Sequence, residues 1–228
     1  MRAEFESDPL EEGSRSLRHG GRCGLRANDC YEMTDRDLYS LPPDLAVPVD
    51  DGRAAHLAGT RLPSLALPAT TGEQIDLSTI RGLAVVFAFP RTGRPNAAPL
   101  VPDWDLIPGA RGCTPQTCSF RDLAADFAAL DCRVFGLSAQ DREYQREMAE
   151  RLHLPFPVLS DAEMALTRAL RLPTLTVAGH VLIARLAWIQ RDAVIVDVAY
   201  PVFPPDRNAA DMLERVRACH SERRRAAP

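Results

Sequence analysis

Cys113 and Cys118 stand five residues apart in IPGARGCTPQTCSFRD, residues 107–122, and two thiols near the start of a helix can form and break a disulfide. Thr114 to Leu130 has helical spacing, with Phe120, Leu123, Phe127 and Leu130 on one face, which places Cys113 at the first turn. There the unpaired backbone N–H groups and the helix dipole stabilise an anion, and Arg111 is two residues away. Both features favour the thiolate, the nucleophilic form of cysteine. In an intact helix a five-residue step rises about 7.5 Å and turns roughly 140°, setting the two Cα atoms about 8.7 Å apart. A disulfide needs less than about 7 Å. The pair is therefore a redox couple only if the turn between the thiols unwinds, and Pro115, which supplies no helical N–H, permits that. The expectation is a reduced form with a folded helix and an oxidised form with this turn open. The competing reading is two buried small hydrophobes that share a helix. Zinc is not indicated, because no second Cys or His pair stands at ligand spacing.

Arg185 is the other residue whose placement suggests chemistry. It interrupts the apolar run VLIARLAWI, in which both faces read as buried. An unpaired charge there is costly, so Arg185 should face an anion or carboxylate; the alternative is a sheet-end arginine reaching solvent.

The elements that must position these residues can be read along the chain. RLPSLALPATTGEQIDL gives two short strands around a Thr-Gly turn. Leu83 to Phe89 is a continuous apolar run, as in a strand buried on both faces. Residues 91–112 form a long Pro- and Gly-rich loop ahead of the helix. Arg133 to Ser138 reads as a second buried strand, Asp141 to Leu152 as a helix capped by Asp141, and PFPVLSD as a strand and turn. A helix over Ala162 to Leu170 follows. A hairpin of 181–190 with 193–200 turns over Arg191-Asp192, and a last helix runs from Asn208 to Arg217. This order is an α/β arrangement around a central mixed sheet, and Cys113 falls where a strand's carboxyl end meets the next helix, the usual place for a reactive group.

Composition bounds the rest. The 228 residues are 46% hydrophobic and 25% charged, enough for one core with additional segments. Residues 1–32 read as a disordered leader, 33–59 as an extended arm, 60–217 as the domain and 218–228 as a charged tail. Met33 is an alternative start to Met1. A net charge of −4, with all 27 basic side chains arginine, gives no field for nucleic acid or membrane. No apolar run is long enough for a signal core or a span, so the expected location is cytoplasmic, in a reducing compartment. Six cysteines then read as core thiols or redox groups rather than a stapling framework. Cys132 is expected in the core, Cys219 and His220 in a frayed tail, Cys23 and Cys30 in the leader, and His56, His153 and His180 in loops or packing. The Arg223 to Arg225 run is too short to argue for nucleic acid. No G-x-G-x-x-G follows a strand, which disfavours nicotinamide dehydrogenases.

Gly112-Cys113-Thr114 with Cys118 resembles the peroxiredoxins, closest to the peroxiredoxin Q (bacterioferritin-comigratory) type, whose helix start is G-C-T-x-x-x-C. The likeness covers roughly residues 60–217, including FPRTG, RVFGLSAQD and PFPVLSD. It implies a thioredoxin-like α/β fold and a thiol peroxidase. Cys113 would be the peroxidatic thiol and Cys118 the resolving one, Arg185 would orient the peroxide, and no cofactor would be needed. The implied partners are hydrogen peroxide or an alkyl hydroperoxide, and thioredoxin or a similar dithiol, for a monomer or dimer. Superfamily members carry P-x-x-x-T-x-x-C, yet Leu106 and Ala110 occupy those places here. Pro90 and Thr92 lie earlier, so an insertion over about 91–108 is read as splitting the motif, with Pro90 and Thr92 folding back to the site. The peroxide pocket then comprises Pro90, Arg111, Gly112 and Thr114, with Thr92 beside Cys113. The alternatives are a thioredoxin-like disulfide oxidoreductase, which would want C-x-x-C, and a non-catalytic binding module of the same fold.

Overall fold

A computed structural model describes residues 37–226; the expected leader, with Cys23 and Cys30, lies outside the described residues. Strand β1 (Ala66–Pro68) pairs antiparallel with β2 (Gln74–Asp76) across the Thr71-Gly72 turn. Then follow β3 (Leu83–Ala88), helices α1 (Cys113–Asp122) and α2 (Ala124–Ala128), β4 (Cys132–Ser138), α3 (Arg142–Arg151), β5 (Val158–Ser160) and α4 (Ala165–Leu170). Strands β6 (Thr174–Val177), β7 (His180–Ile183), β8 (Leu186–Arg191) and β9 (Val194–Ala199) precede α5 (Asn208–Ala226).

The central sheet has the order β5-β4-β3-β8-β9. Strand β4 is parallel to β3 and to β5, whereas β8 is antiparallel to β3 and to β9. All six residues of β3 are buried, and they alternate between the faces as a pleated strand must. Ala84, Val86 and Ala88 join the core that holds Leu57, Phe135, Leu166 and Trp188. Leu83, Val85 and Phe87 join the opposite core with Phe120, Phe127, Met148, Met212 and Val216. Coverage on both sides is why β3 reads as an unbroken apolar run. The mixed sheet flanked by helices is the architecture expected from the sequence.

Three boundaries differ from the expectations. The single helix over Thr114 to Leu130 breaks at Leu123, which leaves helical geometry at φ −101°, ψ 8°. An unbroken helix would raise Phe127 about 10.5 Å above Phe120, while the two rings actually stack with centroids 5.7 Å apart. Packing outweighs the local periodicity. The run 181–190 is likewise two strands. Strand β7 pairs with β6, an element the sequence reading missed, and β8 alone joins the central sheet, with its turn to β9 at Asp192-Ala193, both at positive φ. The step between β7 and β8 falls at Ala184-Arg185, where the Ala184 N–H is bonded to the Pro173 carbonyl at 2.9 Å. Helix α4 starts at Ala165 rather than Ala162. The buried Asp161 carboxylate takes the Leu166 and Thr167 N–H groups at 3.1 and 2.8 Å, which fixes the first turn there.

The flanking segments are more engaged than expected. Ala54 and Leu57 of the arm are buried in the first core, and the Gly59 N–H bonds Ile195 at 2.8 Å. Helix α5 continues to Ala226, past the expected end at Arg217, and Cys219 packs against the second core.

Candidate active site

The carboxyl end of β3 delivers Pro90 and Thr92, that of β4 delivers Gln140, and the step before β8 delivers Arg185. The Leu186, Ala88 and Leu137 positions form one row across these three strands, so all three chain exits lie at one edge of the sheet. Helix α1 begins there too. Its N-cap is Gly112 at φ +101°, a conformation that L side chains avoid. A β-carbon at Gly112 would also lie 2.3 Å from Pro205 Cγ. The glycine lets the chain turn into the helix against the 205–207 turn, with Cys113 as the first helical residue.

Cys113 is 3% exposed. Its Sγ stands 3.2 Å from Arg185 Nη2 and 3.4 Å from the Ala110 carbonyl oxygen. The N–H groups of Cys113 and Thr114 have no acceptor within the helix, as at any first turn. Arg185 is also 3% exposed. Its Nη2 donates to the carbonyls of Arg111, Gly109 and Ala110 at 2.9, 3.2 and 3.2 Å, and its Nη1 donates to Gln116 Oε1. Gln116 is fully buried and is held from behind, its Nε2 donating to Asn208 Oδ1 at 2.9 Å. Among the described residues no carboxylate lies within ion-pair distance of Arg185. Carbonyl dipoles and an amide surround the guanidinium, and the group beside it able to carry a full negative charge is the Cys113 sulfur. A buried cation without a counter-ion costs several kcal/mol, and Arg185 stands where it can stabilise negative charge that develops at or beside that sulfur.

Cys113 lines a cavity of about 40 Å³ with Thr92, Leu38, Trp104, Arg111, Gly112, Thr114 and Tyr144 among its walls. Thr92 is 1% exposed. Its N–H and hydroxyl both donate to Gln140 Oε1, at 2.8 and 3.0 Å, and its carbonyl accepts from Gln140 Nε2 and the Tyr144 hydroxyl, both at 3.2 Å. Its hydroxyl hydrogen being used, the Thr92 oxygen retains lone pairs to accept a bond from a bound molecule. Pro90 is buried beneath, its carbonyl accepting from Ser138 Oγ at 3.3 Å, and is not a wall of the cavity. Arg111 is a wall; its guanidinium donates to the carbonyls of Asp37 and, at 3.0 Å, Ser40 in the arm, and its Nε lies 3.7 Å from Asp105 Oδ1. The guanidinium 3.2 Å from the sulfur is that of Arg185.

Cys118 lies on the same helix, half-buried, and both thiols are free. The helix is closed between them, with Gln116 N–H bonded to Gly112 O at 3.0 Å and Thr117 Oγ1 to Cys113 O at 2.9 Å. Burial pushes the Cys118 thiol above the usual range, opposed by Arg121, so Cys118 stays protonated while the helix is folded. Gln116 and Gln140 escaped the sequence reading. For Gln140 a signal existed in its place just past the carboxyl end of β4; for Gln116, one polar residue in a polar helix, none did. A wider depression of about 830 Å³ lies between β2, α2 and β4. The nucleophile on its wall is Cys132, whose thiol burial pushes up to about 12, so it is no rival to Cys113. Among the described residues no cluster of three metal-ligating side chains occurs, and no helix is long and apolar enough to cross a membrane.

The family model described as Redoxin matches residues 57–213. A curated relative, peroxiredoxin Bcp of Bacillus subtilis, is 33% identical over 112 residues, covering 49% of this chain and 61% of the relative. The chain thus spans about three fifths of that relative's length. The crystal structure of peroxidoxin BcpB from Mycobacterium tuberculosis superimposes with a TM-score of 0.56 at 27% identity, covering 71% of this chain and 96% of that one. A Xanthomonas campestris peroxiredoxin Q structure gives a TM-score of 0.56 at 19% identity, covering 78% and 99%, a likeness of fold.

Proposed function

This chain belongs to the redoxin family, with peroxiredoxins of the Bcp and Q type as its relatives, and from that premise we propose that it is a thiol peroxidase acting through Cys113. The observation that carries the reading is the buried Arg185, with no carboxylate at ion-pair distance among the described residues, 3.2 Å from the Cys113 sulfur. The Cys113 thiolate attacks one oxygen of a hydroperoxide. The O–O bond breaks, the sulfur becomes a sulfenic acid, and the leaving oxygen takes a proton from solvent and departs as water or an alcohol. Arg185 and the first-turn N–H groups stabilise the charge that grows on the leaving oxygen. The Thr92 hydroxyl oxygen accepts a hydrogen bond from the peroxide O–H and sets the line of attack.

Resolution requires the helix to open. With Cα atoms about 8.7 Å apart in the folded helix, Cys118 reaches the sulfenic acid only when the turn through Pro115 unwinds. The two then condense to a disulfide with loss of water. Unwinding also returns Cys118 to solvent, removing the burial that holds its thiol protonated. An external dithiol, thioredoxin or a relative of it, reduces the disulfide by exchange. Stopped-flow peroxide consumption tests the scheme. Cys113→Ser should be inactive, while Cys118→Ser should complete one turnover and then fail to cycle with thioredoxin. Equal rates in the parent and both variants would end it.

A further inference from the structure

The arm supplies one wall of the cavity at Cys113, beside the 91–100 loop. Leu38 is half-buried and forms that wall, although the residues beside it, Asp37, Tyr39 and Ser40, are exposed. Leu38 is seated against Gly93, where a β-carbon would lie 3.1 Å from its Cδ2. Polar anchors hold the backbone on both sides of it, since the Arg111 guanidinium takes the Asp37 and Ser40 carbonyls. Arg151 Nη1 reaches the Tyr39 hydroxyl at 3.2 Å, and the Tyr39 N–H closes a turn on Asp37 Oδ1 at 2.8 Å. Leu41 packs at Gly112, the residue that starts α1. An apolar side chain turned inward from an exposed, multiply tied segment is placed to act as a lid on the cavity that Cys113 lines.

We infer that Leu38, tied down through Arg111, sets the size of hydroperoxide this site accepts, so that the closed arm admits hydrogen peroxide and excludes bulky organic hydroperoxides. The inference rests on the peroxidase reading for its substrate class. A cavity of about 40 Å³ holds about three or four water-sized groups at roughly 10–15 Å³ each. That is room for the two oxygens of hydrogen peroxide and not for a bulky organic group. Shortening Leu38 removes one wall without touching Cys113, Arg185 or Thr92.

The test compares Leu38→Ala with the parent and with Val47→Ala, a change at an arm residue that is 62% exposed. The first readout is the ratio of kcat/KM for cumene hydroperoxide to that for hydrogen peroxide. The second, independent of turnover, is the ratio of Cys113 labelling by a fluorescein maleimide to labelling by iodoacetamide, quantified on the Cys113 peptide. Leu38→Ala should raise both ratios about tenfold, the scale of discrimination by a few methyl groups in a pocket wall, and Val47→Ala should move neither. Ratios in Leu38→Ala within about twofold of the parent's would overturn the lid. Were the parent to consume no hydroperoxide at all, the peroxidase reading would fall, and the labelling ratio would still decide whether Leu38 closes the cavity.

Discussion

A guanidinium buried among carbonyl oxygens is the residue-scale feature on which the chemistry turns. Arg185 reads from the sequence as an anomaly, a charge inside VLIARLAWI, and the requirement for an anionic partner follows from that alone. The identity of the partner does not, because it depends on the step between β7 and β8 that lifts Arg185 out of both ladders and aims it at the start of α1. Cys113 and Cys118 were legible from their spacing as a candidate pair, and both lie as free thiols on α1. Gln116, which supports Arg185 from the side, left no mark in composition or periodicity. Arg111 shows the limit of proximity in sequence, for its side chain turns to the arm and only its carbonyl meets Arg185. Replacing Arg185 by lysine keeps the charge but forfeits the planar fork that spans Gln116, the carbonyls and the sulfur. Arg185→Lys should therefore lower kcat/KM for hydrogen peroxide by about 10²–10³-fold, the usual effect of losing one donor to a developing oxyanion; a steady-state assay with the purified variant checks it.

At the scale of elements, the proposed cycle requires α1 to open between its two thiols. The helix is short, ends at Leu123 where one periodic run had suggested continuation to Leu130, and carries Pro115 in its first turn. The break at Leu123 was illegible because the stacking of Phe120 on Phe127 and on Phe87, the latter with centroids 4.1 Å apart, is a tertiary effect that overrides local pattern. The helix start, by contrast, was legible in Gly112-Cys113, and the structure gives the glycine its reason. Gly112→Ala places a β-carbon at φ +101° and 2.3 Å from Pro205 Cγ. The expected loss is about 2–4 kcal/mol of unfolding free energy, the sum of backbone strain and overpacking, read from the midpoint of urea denaturation.

Across the whole molecule the thioredoxin-like sheet was legible in β3, β4 and α3, where burial on both faces or a capping aspartate leaves a local signature. The β6–β7 pair and the arm's packing were not, since both are settled by long-range contacts. One consequence of the double core is a thiol with a titration far from its ordinary place. Cys132 is 3% exposed and burial raises it from 9.0 to about 12. The folded state then holds its proton while the unfolded chain has released it. The stability linked to this group is fully present below pH 9.0 and is lost as pH rises toward about 12. In the middle of that window the wild-type protein should lose up to about 1.4 kcal/mol more per pH unit than Cys132→Ala, measured by urea denaturation at several alkaline pH values.

The most direct measurement is the intact mass and peptide map of the reduced protein after one equivalent of hydrogen peroxide, with and without dimedone. The account requires the wild-type chain to lose about 2 Da as a disulfide joining Cys113 to Cys118, and Cys118→Ser to gain about 16 Da at Cys113, captured by dimedone. An unchanged mass, or a dimedone adduct on any cysteine other than Cys113, would contradict it.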